Sequence, residues 1–114
     1  MITSFNMQDH NITMVRGDTL SFGVEIVDQY GAALDINAAY FTCKANPLSS
    51  SPTFQKTLGS GIEQDSTGKY TVRVSPTDTS SLAVGRYYYD FVVERSIDTF
   101  TIMRGVLEIL QNVT

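Results

Sequence analysis

Gly85-Arg86-Tyr87-Tyr88-Tyr89-Asp90-Phe91-Val92-Val93-Glu94 reads with a period of two. Tyr87, Tyr89, Phe91 and Val93 fall on one side, and Tyr88, Asp90, Val92 and Glu94 on the other. That is the alternation of an extended strand with one face turned inward. The pattern recurs upstream, where Leu20, Phe22, Val24 and Ile26 alternate with Ser21, Gly23 and Glu25, and again where Ala39, Phe41, Cys43 and Ala45 alternate with Tyr40, Thr42 and Lys44. Shorter strands are expected at residues 53–57, 62–64 and 70–74, and a long one at 99–110. Turn chemistry separates them: Asp28-Gln29-Tyr30-Gly31, the Ser- and Pro-rich stretch 46–52, Gly59-Ser60-Gly61 and Asp65-Ser66-Thr67-Gly68. Ser75-Pro76-Thr77-Asp78 can open one helical turn, with Ser75 as cap and Pro76 at the first position. No longer helix is expected. About seven short strands without a crossover helix predict an all-β, antiparallel sandwich.

The last strand changes phase. Phe100 and Ile102 share one parity, and Leu107 and Ile109 the other. A bulge near Arg104-Gly105 reconciles them, because one inserted residue shifts the inward face. The alternative keeps Met103, Leu107 and Ile109 on the core throughout and leaves Phe100 and Ile102 to a partner.

The 114 residues suit one domain, and 42% hydrophobic content suits a core that needs no staples. The single cysteine excludes an intramolecular disulfide and points to a reducing compartment. No apolar run approaches the roughly 20 residues of a spanning helix, and the first ten residues do not read as a signal peptide. Twelve acidic and eight basic residues, spread without blocks, give a net charge of −4. Nucleic acid and anionic membranes are therefore not expected partners, since both need clustered cations.

Chemistry-bearing residues are sparse. His10, the one histidine, lies in a polar segment near the amino terminus, and Cys43 lies in a strand as an inert buried thiol. Asp28, Asp35, Asp65 and Asp78 could make a calcium site or an acid–base pair, but aspartate beside glycine is ordinary turn chemistry. Arg16-Gly17-Asp18 spells an adhesion tripeptide at a position that a tight turn also explains. Asn11-Ile12-Thr13 and Asn112-Val113-Thr114 match a glycosylation acceptor by chance in a chain without a secretory signal. No catalytic residues, metal ligands or cofactors are expected, and the chain reads as a non-enzyme. Alternation turns Tyr87 inward, where its hydroxyl can bond upstream backbone as a tyrosine corner. It turns Tyr88 outward, leaving Tyr88 and Tyr40 as the surface aromatics that a carbohydrate- or cell-surface-binding module would use. Met1, Ile2, Phe5 and Met7 make an apolar arm, residues 1–11, ahead of the domain at 12–114. Such an arm can add to a neighbour's sheet edge, or it can fray or pack locally as a chain terminus.

Four stretches line up in order: Ile12-Thr13-Met14-Val15-Arg16-Gly17-Asp18-Thr19, Asp28-Gln29-Tyr30-Gly31 with Leu34-Asp35-Ile36, Leu82-Ala83-Val84-Gly85-Arg86-Tyr87, and Arg104-Gly105-Val106-Leu107-Glu108-Ile109. This pattern resembles the immunoglobulin-like domains of tailed-phage and prophage structural proteins. It is similar in particular to the amino-terminal domain of phage baseplate upper proteins. The resemblance implies an immunoglobulin-like sandwich and a non-catalytic virion component of the tail, baseplate or fibre attachment, made in a bacterial host cytoplasm. It also implies a homo-oligomer that meets other virion proteins. The baseplate proteins often carry further domains after this module, and this sequence stops.

Overall fold

The computed structural model describes residues 2–3, 8–28 and 30–113. Its elements run β1 (Ile2–Thr3), β2 (Gln8–Asp9), β3 (Ile12–Val15), β4 (Leu20–Val27), β5 (Ala38–Lys44), β6 (Phe54–Leu58), β7 (Gly61–Ser66), β8 (Lys69–Val74), α1 (Pro76–Thr79), β9 (Gly85–Arg95) and β10 (Asp98–Leu110). The fold is all-β, as the alternation predicts. The seven strands expected from the sequence correspond to β4 through β10, and α1 begins at Pro76 as its cap predicts.

Two features of the expected sandwich need correction. The described residues form ten strands rather than about seven, and the sheet is mixed rather than antiparallel. Its order is β1-β4-β8-β7-β6-β5-β9-β10-β2, with β3 also on β10. The antiparallel pairs are β4·β8, β8·β7, β6·β5, β5·β9 and β9·β10. The parallel pairs are β1·β4, β2·β10, β3·β10 and the short β6·β7 contact. Extended parallel pairing demands a long connection, and the two-residue β6·β7 contact is only a local turn closure. Here the whole domain serves as the connection from β3 to β10, so no crossover helix is required.

The sheet curls until it is nearly closed. Phe22 of β4 packs edge-on against Phe41 of β5 at 5.7 Å between ring centres, although three strands separate them along the sheet. Tyr70, Phe41, Phe91, Ile26, Ile62 and Leu107 fill the interior and are fully buried. Tyr89 stacks at a tilt on Phe41, and Phe54 approaches the same ring from β6.

The phase change in β10 is a bulge, but not at Arg104-Gly105. The register with β9 shifts between Thr101 and Met103, so Ile102 and Met103 both point inward and are buried. Gly105 stays in register opposite Tyr89 and serves a different need. A methyl group there would lie 2.9 Å from the His10 carbonyl carbon and 3.0 Å from Asn11 Oδ1. The chain passes from β2 to β3 directly over this position.

Of the apolar arm, Met1, Phe5 and Met7 lie outside the described residues. Ile2 is part of β1, where it pairs with Ile26 of its own chain. Gln8 and Asp9 pair with Met103 and Arg104. The His10 N–H then donates to the Arg104 carbonyl at 2.9 Å, and the His10 carbonyl accepts the Tyr89 hydroxyl. The amino-terminal segment thus touches both margins of the sheet, β4 first and β10 second. Among the described residues no helix is long and apolar enough to cross a membrane.

Candidate functional site

Burial of Ala39, Phe41 and Cys43 in β5, and of Tyr87, Tyr89, Phe91 and Val93 in β9, leaves the opposite parity facing out. Register then decides which outward residues meet. Gln55 of β6 lies opposite Thr42 of β5, Thr42 opposite Asp90 of β9, and Asp90 opposite Arg104 of β10. One polar row therefore crosses four strands. Tyr40 and Val92 form the row on one side of it, and Lys44, Tyr88 and Val106 the row on the other. The loop after β5 supplies a wall through Pro47, Ser50 and Pro52, and the whole encloses a groove of about 660 Å³.

Tyr88 is 39% exposed, and Tyr40 is half-buried. Both sequence-predicted surface aromatics thus lie in this groove, on adjacent strands and two rows apart. Four residues along a strand correspond to about 13 Å at roughly 3.3 Å per residue. The Tyr40 hydroxyl reaches Glu94 Oε1 at 3.4 Å, and Gln55 Nε2 donates to Thr42 Oγ1 at 2.9 Å. Asp90 at the centre titrates above the ordinary carboxylate range, because burial disfavours its charge more than the nearby Lys44 ammonium favours it. The floor offers hydroxyl, amide, carboxylate, ammonium and guanidinium groups between two aromatic rings. It has no histidine and no cysteine.

The other residues singled out in the sequence do not converge. Asp28 Oδ1 accepts the N–H groups of Tyr30 and Ala32 at 2.8 and 2.9 Å, closing its own turn around Gly31 at φ +84°. Asp35 accepts from Gln64, and Asp65 from Thr71. Asp78 is held by Lys56 at 2.7 Å and by the Ser75 N–H and hydroxyl at 2.7 and 2.9 Å. Burial opposes its charge, but these hydrogen bonds and the Lys56 ammonium win, and its carboxyl titrates below the usual range. Among the described residues no three metal-ligating side chains gather. Cys43 is fully buried, and burial pushes its thiol up to about 12. His10 is exposed and contributes its backbone to the fold.

Arg16 of the adhesion-like tripeptide donates to the Leu82 carbonyl at 3.2 Å and to Gln111 at 3.3 Å, which ties the β3–β4 turn to the loop after α1. The Gly17 N–H donates to the buried Thr79 hydroxyl at 2.9 Å in the same place. Asn11 Oδ1 accepts the Val106 N–H at 3.1 Å. Tyr87 donates to the Ala83 carbonyl at 2.7 Å, the upstream bond expected of it.

No protein-family model matches the chain, and neither does any curated protein. Solved structures do resemble it. The N-terminal domain of phage TP901-1 ORF48 matches with a TM-score of 0.55 at 10% identity, over 95% of this chain and 92% of that one. The endo-β-1,4-mannanase of Thermotoga petrophila matches at 0.56 and 9% identity, over 90% of this chain but 18% of the enzyme. An AA10 lytic polysaccharide monooxygenase of Streptomyces lividans matches at 0.53 and 10% identity, over 87% of this chain and 59% of that one. The chain thus spans less than two thirds of either enzyme. At these identities the likeness is one of fold.

Proposed function

We propose that this chain is a non-catalytic assembly module of a phage or prophage particle, built on an immunoglobulin-like sandwich. The observation that carries the reading is the end-to-end likeness to a phage domain, since the fold matches over nearly the full length of both chains. The two enzymes match only through a part of themselves.

Connectivity supports the immunoglobulin-like description. With β4 taken as strand B, the pairings β4·β8 and β8·β7 correspond to B·E and E·D of one layer. The pairings β5·β9 and β9·β10 correspond to C·F and F·G of the other. Tyr87 at the start of β9 occupies the tyrosine-corner position.

In this reading the particle is the protein's place, other virion proteins and further copies of the chain are its partners, and the station is the tail, baseplate or fibre attachment. The arm with Met1, Ile2, Phe5 and Met7 is the proposed contact. A neighbour's β4 offers it the backbone pairing that Ile2–Thr3 makes within its own chain. Two measurements test this. Mass spectrometry of particles purified after prophage induction should detect the chain; finding it only in the soluble lysate would overturn the reading. Light scattering of a variant lacking residues 1–8 should show a smaller oligomer than the full chain; an unchanged mass would remove the arm as the assembly element.

A further inference from the structure

We propose that the groove over β5, β9 and β10 is a binding site for a short oligosaccharide. Its chemistry matches a sugar chain better than the other ligands such a groove could take. A sugar ring presents an apolar face and an equator of hydroxyls, which calls for aromatic surface beside interleaved donors and acceptors. The groove has Tyr40 and Tyr88 about 13 Å apart along the strands at roughly 3.3 Å per residue. Between them runs the row Gln55, Thr42, Asp90 and Arg104, with Lys44 beside it.

Amide, carboxylate and guanidinium groups each engage two adjacent oxygens at once, which suits neighbouring hydroxyls. An apolar peptide anchor would need a greasy pocket, whereas the central row of this floor is polar across all four strands. A polyanion would need cations without a carboxylate among them, and Asp90 sits at the centre. Apart from the loop wall and Gln55, whose strand meets β7 only at Thr57 and Leu58, these residues stand on strands paired on both sides. The geometry is therefore set before a ligand arrives, which lowers the ordering cost of binding.

This inference is independent of the assembly reading. A particle module with no sugar affinity leaves that reading intact, and a sugar-binding domain outside any particle leaves this one intact.

The test is a titration of the full-length ¹⁵N-labelled protein with the neutral sugars mannohexaose, cellohexaose and chitohexaose. Amide shifts and tyrosine fluorescence are recorded together, the latter being readable because the chain has no Trp. At least one sugar should give saturable shifts confined to residues 40–44, Gln55, residues 88–90 and Arg104. Tyr88→Ala and Tyr40→Ala should each weaken that binding about tenfold, the scale of one lost aromatic contact. Tyr30→Ala should leave it unchanged, since Tyr30 is 85% exposed on a different loop. Thermal midpoints check folding of each variant, and Tyr88→Phe, which keeps the ring, should retain binding. No saturable shift with any of the three sugars overturns the proposal. So do shifts located elsewhere, or affinity that survives loss of both tyrosines.

Discussion

Tyr87 carries one hydroxyl that joins two pieces of chain, because its bond to Ala83 fixes the loop after α1 against the first turn of β9. Tyr87→Phe keeps the buried ring and deletes only that bond, so it should cost about 0.5–1.5 kcal/mol in urea unfolding. Asp78 works with charge. Its folded-state pKa is depressed, so its contribution is complete above the ordinary value of 3.8 and is lost as pH falls through the lower folded value. Asp78→Asn should cost about 1–2 kcal/mol at neutral pH, the charged-hydrogen-bond scale reduced for partial exposure. The difference from the unmodified protein should shrink on acidification below 3.8. Asp90 has the opposite sign, since its raised pKa makes it a cost that grows as pH climbs from the ordinary value to the raised one. Gly105 has no side chain because the backbone of His10 occupies that space. Gly105→Ala should destabilise by about 1–3 kcal/mol, the scale of overpacking, and should shift the amide signals of His10 and Asn11 first.

Elements differ in how plainly the sequence announces them. Strands β4, β5, β8 and β9 have five or more alternating residues, enough for a period of two to show. The amino-terminal strands do not. β1 and β2 are two residues each and β3 is four, too short for any period. Their partners lie far along the chain, and nothing local encodes that. The bulge was legible as a phase change but not by position, because both Ile102 and Met103 are apolar and either could be the extra residue. The groove was half legible in the same way. Parity alone turns Tyr40 and Tyr88 outward, whereas the row Gln55-Thr42-Asp90-Arg104 exists only through the register of four strands. Hydrogen exchange should follow these differences. The amides of β5 and β9, flanked by strands on both sides, should exchange slowest, and those of β1 and β2 fastest. Equal protection in β1 and β9 would contradict this picture of the sheet.

For the molecule as a whole, the decisive pairing is β3 with β10. Ile12 meets Leu107 in register, so the two ends of the domain must find each other before the curl is complete. Long-range pairing of this kind slows folding, and stopped-flow refolding should fall in the millisecond-to-second range. A microsecond phase with full amplitude would be inconsistent with it. The curl also decides what a probe in solution can reach. Cys43, the chain's one thiol, sits at the middle of the wall between β6 and β9 with no exposed surface and a pKa near 12. An alkylating reagent meets it only in molecules that have come apart. The rate of Cys43 alkylation in native buffer is therefore a direct clock for spontaneous opening of the curled sheet, readable by mass without any mutation.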